Sequence, residues 1–438
     1  MSAHCTAAIC NLGCKVNFYE SEFYAQELDR LGIAVVPFAN RADIYIINTC
    51  TVTAESDRKC MQMVRRATAK NPNALIIVTG CLAQIDPKRI ASVPGVDAVI
   101  GNTRKLQVLQ YVEDYLQGTF TKKDTAVVDT EHFTHKPAYE PMQLLRTEHA
   151  RATVKIEDGC NSHCAYCIIS KARGPARSKK PEDTLAEVRH LAAAGYKEVI
   201  LTGIELASYE GDLPELIRQI SQIPGIERIR LGSLDPAYLT PSRVDQMTGI
   251  PKLMPHFHIS LQSGSTATLN RMRRKYNAEM AMKNILHMKA CFPEAQFFGD
   301  IIVGFPGETE EHFTETMNFI RKVGFLHLHI FPYSRRAGTE AAAMEDQIPK
   351  EIKRRRAAEL ALVQKDIKRG ILEQIIKEAT PLPVLFETES EGVAFGHTHH
   401  FIETEVPGLT GVRGQIRYVL PVATDGERLT GIPTNKEC

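Results

Sequence analysis

The 438-residue chain has almost no net charge, with 53 Lys and Arg against 52 Asp and Glu. That absence excludes a global field drawing it to nucleic acid, so any such binding has to use local patches. Nor is there a window near the ~18–20 apolar residues of a membrane span. The opening MSAHCTAAIC lacks the basic start and long apolar stretch of a signal peptide. No internal repeat and no low-complexity run is present. What remains, 43% apolar and 24% charged residues, is the composition of a soluble globular protein. Its length is too great for one ordinary core. The expectation is a cytoplasmic protein of several domains with no membrane partner.

A disulfide framework is also lacking. The eleven cysteines are odd in number and unevenly spaced, and without an export signal disulfides are disfavoured. Three fall within eight residues (Cys160, Cys164, Cys167) and others sit singly at the ends of apolar runs. Metal ligation explains that distribution better.

Residues 1–117 alternate strand and helix signals. Ala7–Leu12, Asp43–Asn48 and Ala74–Thr79 read as buried strands, with helices such as Ser21–Leu31 and Asp57–Ala69 between them. This predicts an open parallel α/β sheet. Each of the three strands runs into a cysteine: Cys14 in GCKVN, Cys50 in NTC and Cys81 in TGC. Ligands of open α/β sheets bind outside the carboxyl ends of the strands. Singly, each cysteine reads as a small buried hydrophobe; together, the three predict a shared metal. Residues 118–148 are polar and Pro-containing and read as a linker.

From 149 to 370 six strand candidates alternate with helices: Ala152–Ile156, Glu198–Leu201, Arg228–Leu231, Phe257–Leu261, Phe297–Val303 and His327–Phe331. Six βα units predict a partial (β/α)6 barrel with its chemistry at the carboxyl ends of the strands. A long basic helix over ~345–370 closes the unit, and 371–438 reads as a small antiparallel β-barrel.

The strongest chemical signal is Cys160-Asn-Ser-His-Cys164-Ala-Tyr-Cys167, just after the first barrel strand. Three thiolates on one loop hold three irons of a four-iron cluster and leave the fourth open. The alternative is a zinc knuckle with His163 as fourth ligand. Gly304, Pro306 and Gly307 of GFPGET read as a turn rather than a phosphate loop, which needs more glycines and a Lys.

With Tyr166 before its last cysteine, the loop resembles the signature of the radical S-adenosylmethionine superfamily. The whole chain resembles its methylthiotransferase branch through NLGCKVN (11–17), NTCTVT (48–53), TGCLAQ (79–84), EDGCNSHCAYCIISKARGP (157–175), SLQSGS (260–265), DIIVGFPGET (300–309) and HIFPYSRRAGT (329–339). The resemblance implies two [4Fe–4S] clusters and S-adenosyl-L-methionine as cofactors. Cys160, Cys164 and Cys167 would hold the cluster whose open iron chelates S-adenosylmethionine for cleavage to a 5′-deoxyadenosyl radical. Cys14, Cys50 and Cys81 would hold an auxiliary cluster carrying the sulfur that is inserted. Tyr166 is expected near the adenine and Gly203-Ile204-Glu205 near the methionine amino group. Gln262 and Asp300 sit at later strand ends, facing cofactor or substrate. Glu205 departs from the His that relatives carry after TGI. The resemblance further implies an external electron donor of reductase or flavodoxin type, and a sulfur donor that it does not name.

Three branches of the family act on isopentenyladenosine, threonylcarbamoyladenosine or a ribosomal-protein aspartate. GCKVN resembles the threonylcarbamoyladenosine branch, so the expected partner is a tRNA anticodon loop. Unstacked loop bases suit recognition in a pocket. The tail resembles a TRAM domain, yet 371–438 carries five basic against ten acidic residues, a poor general RNA magnet and the best support for the ribosomal-protein alternative. Basic runs elsewhere point to RNA: 350–369, then Arg271, Arg273, Arg274 and Lys275, then Lys171, Arg173, Arg177, Lys179 and Lys180. A non-catalytic iron–sulfur RNA-binding protein would keep the cysteines without needing the barrel. Cys5, Cys10, Cys60, Cys291 and Cys438 are expected to be structural or incidental thiols.

Overall fold

The structure, a computed structural model, describes residues 5–434, so Cys438 lies outside the described residues. Ile44–Thr49 and Leu75–Gly80 are buried along their whole length. Burial on both faces is why their sequences are continuous apolar runs. They form the centre of a parallel six-stranded sheet, ordered Ala34–Val35, Thr6–Asn11, Ile44–Thr49, Leu75–Gly80, Ala98–Ile100, Val127–Asp129. The last strand comes from the stretch expected to be a linker. Val127–Asp129 pairs with Ala98–Ile100, and Met142 and Leu144 are fully buried in the same domain's core. The first helix, expected from Ser21, starts at Lys15 and runs to Arg30.

The second unit is built from parallel strands in two sheets. Ala152–Lys155, Glu198–Thr202 and Arg228–Leu231 form one; Ser233–Leu234, His256–Gln262, Gln296–Val303 and Phe325–Pro332 form the other. Gly232 stands at the break, where its N–H donates to Leu201 O at 2.8 Å. The six βα steps therefore follow one another in sequence order around an incomplete barrel. Period-2 alternation sets the two faces. Phe297, Ile301 and Val303 pack in the large core beneath the helices, leaving Phe298 and Asp300 on the lumen side.

The helix expected over ~345–370 runs from Lys350 to Glu378 and leads into a closed barrel of five strands, Leu382–Ser390, Val393–Thr398, Glu403–Pro407, Ile416–Thr424 and Leu429–Pro433. Its pairing is not wholly antiparallel, because Glu403–Pro407 runs parallel to Leu429–Pro433. This small barrel stoppers the floor of the larger one. Arg230 donates to Thr398 O (2.8 Å) and His399 O (2.9 Å), and Arg228 to Pro383 O (2.9 Å) and His397 O (3.2 Å). Phe401, in the left-handed region at φ +64°, lies between the Arg151 and Arg230 guanidiniums at 4.7 and 4.9 Å. Among the described residues no helix is long and apolar enough to cross a membrane.

Glu198 is buried against Arg230 and Arg228. Arg230→Leu leaves that carboxylate short of a partner and two carbonyls without donors. It should lower stability in urea titration by about 3–5 kcal/mol and expose the 398–402 turn to protease; an unchanged midpoint contradicts the stopper.

Candidate active site

Cys14, Cys50 and Cys81 all stand where a strand of the first sheet hands over to a helix. Cys14 caps Lys15–Arg30, Cys50 follows Ile44–Thr49, and Cys81 opens Cys81–Ile85. The three strands are neighbours in the sheet, so the cysteines meet at one edge. Burial pushes the Cys50 thiol up to about 11, with the nearby Cys81 and Cys14 sulfurs adding to the rise. Burial raises Cys81 as well. Cys60 supports the turn, its Sγ accepting from Cys50 N and donating to Cys50 O, both at 3.3 Å. Gly80 has φ +95°, and a Cβ there would stand 2.5 Å from Thr49 O. Only glycine lets the strand end come this close before Cys81.

The second set lies on the loop after Ala152–Lys155. Burial takes Cys160 to about 11, and burial together with the neighbouring Cys164 and Cys160 sulfurs takes Cys167 to about 12. Neither triad has three sulfurs within 4.8 Å of one another, although other donor sets among the described residues do. As the sulfurs stand, that spacing is too open for one tetrahedral zinc. Buried thiols with raised pKa values are poor anions on their own, and a bound metal deprotonates them outright. Three sulfurs per set leave one iron of a four-iron cluster free. The donor chemistry of both sets fits such clusters.

Around the loop, Glu157 accepts from Glu205 N at 2.8 Å, and a Cβ on Gly203 would stand 2.5 Å from the Glu157 carboxylate. The Gly203-Ile204-Glu205 turn is thereby drawn against the loop. Glu205 is raised to about 7 by burial and by Asp235, with Arg274 opposing. Arg274 donates to Cys164 Sγ at 3.1 Å and to Tyr276 Oη at 3.2 Å, and pairs with Asp235. Tyr166 stacks edge-on to Phe305, with ring centroids 6.4 Å apart. Gln262 ends its strand at φ +66°, a strained conformation of the sort kept at functional sites. Asp300 stands deeper, its Oδ1 3.0 Å from His258 Nε2. A cavity of about 500 Å³ opens beside Cys160, lined by Gln84, Phe133, His163 and Lys171 among others. Gly304 and Gly307 of GFPGET both have positive φ in a turn, and Gly304 N donates to Glu308 Oε1 at 2.9 Å.

Of Lys171, Arg173, Arg177, Arg271, Arg273, Arg274 and Lys275, all expected to face RNA, three have buried side chains. Arg173 is 0% and Arg177 2% exposed. With Lys105 and Lys155 they surround Glu20 and Asp158. Arg173 reaches Asp158 (2.9 Å) and Glu20 (3.0 Å), and Arg177 reaches Asp158 (3.1 Å). Burial alone would raise Glu20, but Arg173, Lys105 and Lys155 hold it well below the carboxylate range. Glu140 lies close to the same group, and Arg173 favours the anionic form of Cys81. The Arg274 side chain is 6% exposed, turned to Cys164. Arg271 pairs with Asp346 and Arg273 with Glu340, while Lys171 donates to Gly338 O at 2.6 Å. Lys275 is exposed. A charged side chain is buried only when paired, and these runs supply the pairing. Sequence reasoning missed Glu157, Asp235 and Arg336. Buried Arg336 joins the RRAGT loop to Asp57 (2.6 Å) and Thr51 of the first domain.

Two triads of strand-end cysteines, one on a CxxxCxxC loop in a partial (β/α)6 barrel, define the radical S-adenosylmethionine class. Consistent with this, the Radical SAM superfamily pattern matches residues 154–320, and the Uncharacterized protein family UPF0004 pattern matches 6–101. The chain is 37% identical over 421 residues to the Threonylcarbamoyladenosine tRNA methylthiotransferase MtaB of Bacillus subtilis, covering 94% of this chain and 92% of that one. It is 36% identical to the protein of the same name from Thermotoga maritima, covering 92% of each. The tRNA-2-methylthio-N(6)-dimethylallyladenosine synthase of Carboxydothermus hydrogenoformans is 35% identical, over 81% of this chain and 82% of that one. Among solved structures, the radical S-adenosylmethionine methyltransferase TsrM of Kitasatospora setae shares the fold at TM-score 0.57 and 14% identity, over 90% of this chain and 77% of that one. The chain belongs to the methylthiotransferase family of the radical S-adenosylmethionine superfamily, whose chemistry uses S-adenosylmethionine and [4Fe–4S] clusters.

Arg173→Met leaves Glu20 and Asp158 underpaired in the interior. It should destabilise the protein by about 3–5 kcal/mol in anaerobic denaturation, and Arg173→Lys by less; a neutral Arg173→Met would place the residue at the surface after all.

Proposed function

We propose that the protein inserts a methylthio group at C2 of N6-threonylcarbamoyladenosine in a tRNA anticodon loop. Cys160, Cys164 and Cys167 would hold the cluster that binds S-adenosylmethionine, and Cys14, Cys50 and Cys81 an auxiliary cluster. One observation carries this reading: the helix opening at Cys81 packs against the helix Ile169–Arg173 that follows Cys167, and Asn102 bridges them by donating to Ala172 O at 2.7 Å and to Cys81 Sγ at 3.8 Å. Two cofactors so placed serve one substrate between them. The names and full-length match of the Bacillus subtilis and Thermotoga maritima relatives support the substrate. When bound, the clusters supply one-electron cleavage of S-adenosylmethionine and a thiophilic iron for the transferred sulfur.

The chain's own residues bind and orient. Glu205, raised to about 7, offers an acceptor beside Cys160 for the cofactor's amino group. Arg274 keeps a positive charge on the Cys164 side, and Tyr166 offers an aromatic edge for adenine. Gln262 presents its side chain from a fixed, strained backbone. Electrons come from an external donor of reductase or flavodoxin type. Lys171, Arg273 and Lys275 remain at the surface to meet phosphates. The TRAM-like barrel, acidic and locked beneath the larger one, contributes shape rather than charge.

Nucleoside mass spectrometry of tRNA from cells with and without the gene tests the reading. Deletion should abolish 2-methylthio-N6-threonylcarbamoyladenosine and let its unthiolated precursor accumulate. An unchanged nucleoside removes the substrate assignment and directs the search to ribosomal-protein mass.

A further inference from the structure

Lys15 follows Cys14 and opens the first helix, yet its ammonium belongs to the barrel. Apart from the adjoining Cys14, the charged groups around it are Asp300, Arg151 and Arg230, and His329 and His256 also feel its charge. Those residues come from five strands or strand ends of the second unit and define its lumen. Lys15 retains exposed surface, so it borders open space rather than packing. Its side chain has no ion-pair or hydrogen-bond partner among the described residues. An ammonium set inside a barrel without a partner is a binding group in want of an anion.

Three further polar side chains stand with it. His258, Asp300 and His329 occupy adjacent strands, and their ligand atoms all lie within 4.8 Å of one another. Asp300 is opposite His329 in the register, and the two imidazoles stack with centroids 5.3 Å apart. By ligand type this trio suits a divalent cation, but the Lys15 ammonium beside it opposes one. Below them the Arg151–Phe401–Arg230 stack closes the floor. The lumen therefore offers one unpaired cation, one carboxylate and two imidazoles, above an aromatic base.

We propose that this group is the recognition site for the N6 substituent of the target base, with Lys15 taking the substituent's carboxylate. The inference rests on the function proposed above and names what discriminates its substrate. A threonylcarbamoyl group brings one carboxylate, one hydroxyl and ureido N–H donors. Lys15 and His329 donate to the carboxylate, and Asp300, oriented by His258, accepts from the hydroxyl or N–H. An isopentenyl group brings none of these and leaves Lys15 without a partner and Asp300 with only its contact to His258. A site built to hydrogen-bond a substrate rejects an analogue that lacks the partners far more strongly than an apolar pocket rejects a missing methylene. Because Lys15 is adjacent to Cys14, the residue that reads the substituent also lies next to the proposed auxiliary cluster.

The test is equilibrium binding by the cluster-reconstituted full chain, without reductant, so that no turnover occurs. Three anticodon stem-loop RNAs are compared, carrying N6-threonylcarbamoyladenosine, the same nucleoside with its carboxylate converted to the amide, or unmodified adenosine. The wild type should bind the acid about tenfold or more tighter than the amide, as expected for a charge-assisted hydrogen bond in a confined site. Lys15→Met should erase that ratio and Lys15→Arg should keep most of it, with iron content showing that the clusters survive. If the wild type prefers modified to unmodified RNA but does not distinguish acid from amide, Lys15 recognition is overturned and the function stands. Retention of the acid-to-amide ratio by Lys15→Met overturns it equally. A wild type that binds modified and unmodified RNA alike overturns the function and this inference together.

Discussion

Between the two large domains lies a buried set of charges: Glu20 from the first helix, Lys105 from the first domain's far edge, Lys155 and Asp158 around the cluster loop, and Arg173 and Arg177 after it. Each would be costly alone, and each is paired. The network is what makes two domains a single site. Its members come from residues 20 to 177, and Glu20 and Lys105 of the first domain pair with Lys155, Asp158 and Arg173 of the second. Arg173 shows the coupling most directly, because it holds Glu20, Asp158 and Asn17 and also lies against Cys81. The position of the second cysteine set relative to the first follows from that arrangement.

The same constraint accounts for motifs that otherwise look unrelated. Asn17 of NLGCKVN donates to Asn48 Oδ1 of NTC at 2.9 Å, and Arg336 of RRAGT reaches Asp57 and Thr51 just beyond it. These are clamps that hold strand ends and loops in register around the cysteines. The third domain closes the opposite end, with Phe401 and two arginines forming a floor. Cysteines stand above, a polar lumen lies between, and a sealed floor lies below.

Much of this was legible from residues. Strand runs ending in Cys14, Cys50 and Cys81 were readable because buried parallel strands are continuously apolar and turn abruptly, and the barrel rhythm because its six strands recur with helices between. Burial of charge was not readable. Arg173, Arg177 and Arg274 look like a basic surface in one dimension, since their partners Glu20, Asp158 and Asp235 lie 15 to 153 positions away or in unrelated motifs. The stretch 118–148 looked like a linker because its strand is three residues long, too short for any period to register. Lys15 was legible only as part of GCKVN, because a lysine after a cysteine otherwise reads as a solvated helix start and nothing in one dimension places it against the barrel.

The account stands or falls on two separate clusters in one chain. Anaerobic reconstitution followed by Mössbauer spectroscopy and iron counting, on the wild type and on a variant with Cys14, Cys50 and Cys81 all changed to Ala, addresses that directly. The expected result is about eight irons falling to about four, with the remaining signal still that of a [4Fe–4S] cluster. Iron content near four in both proteins, with identical spectra, would contradict it.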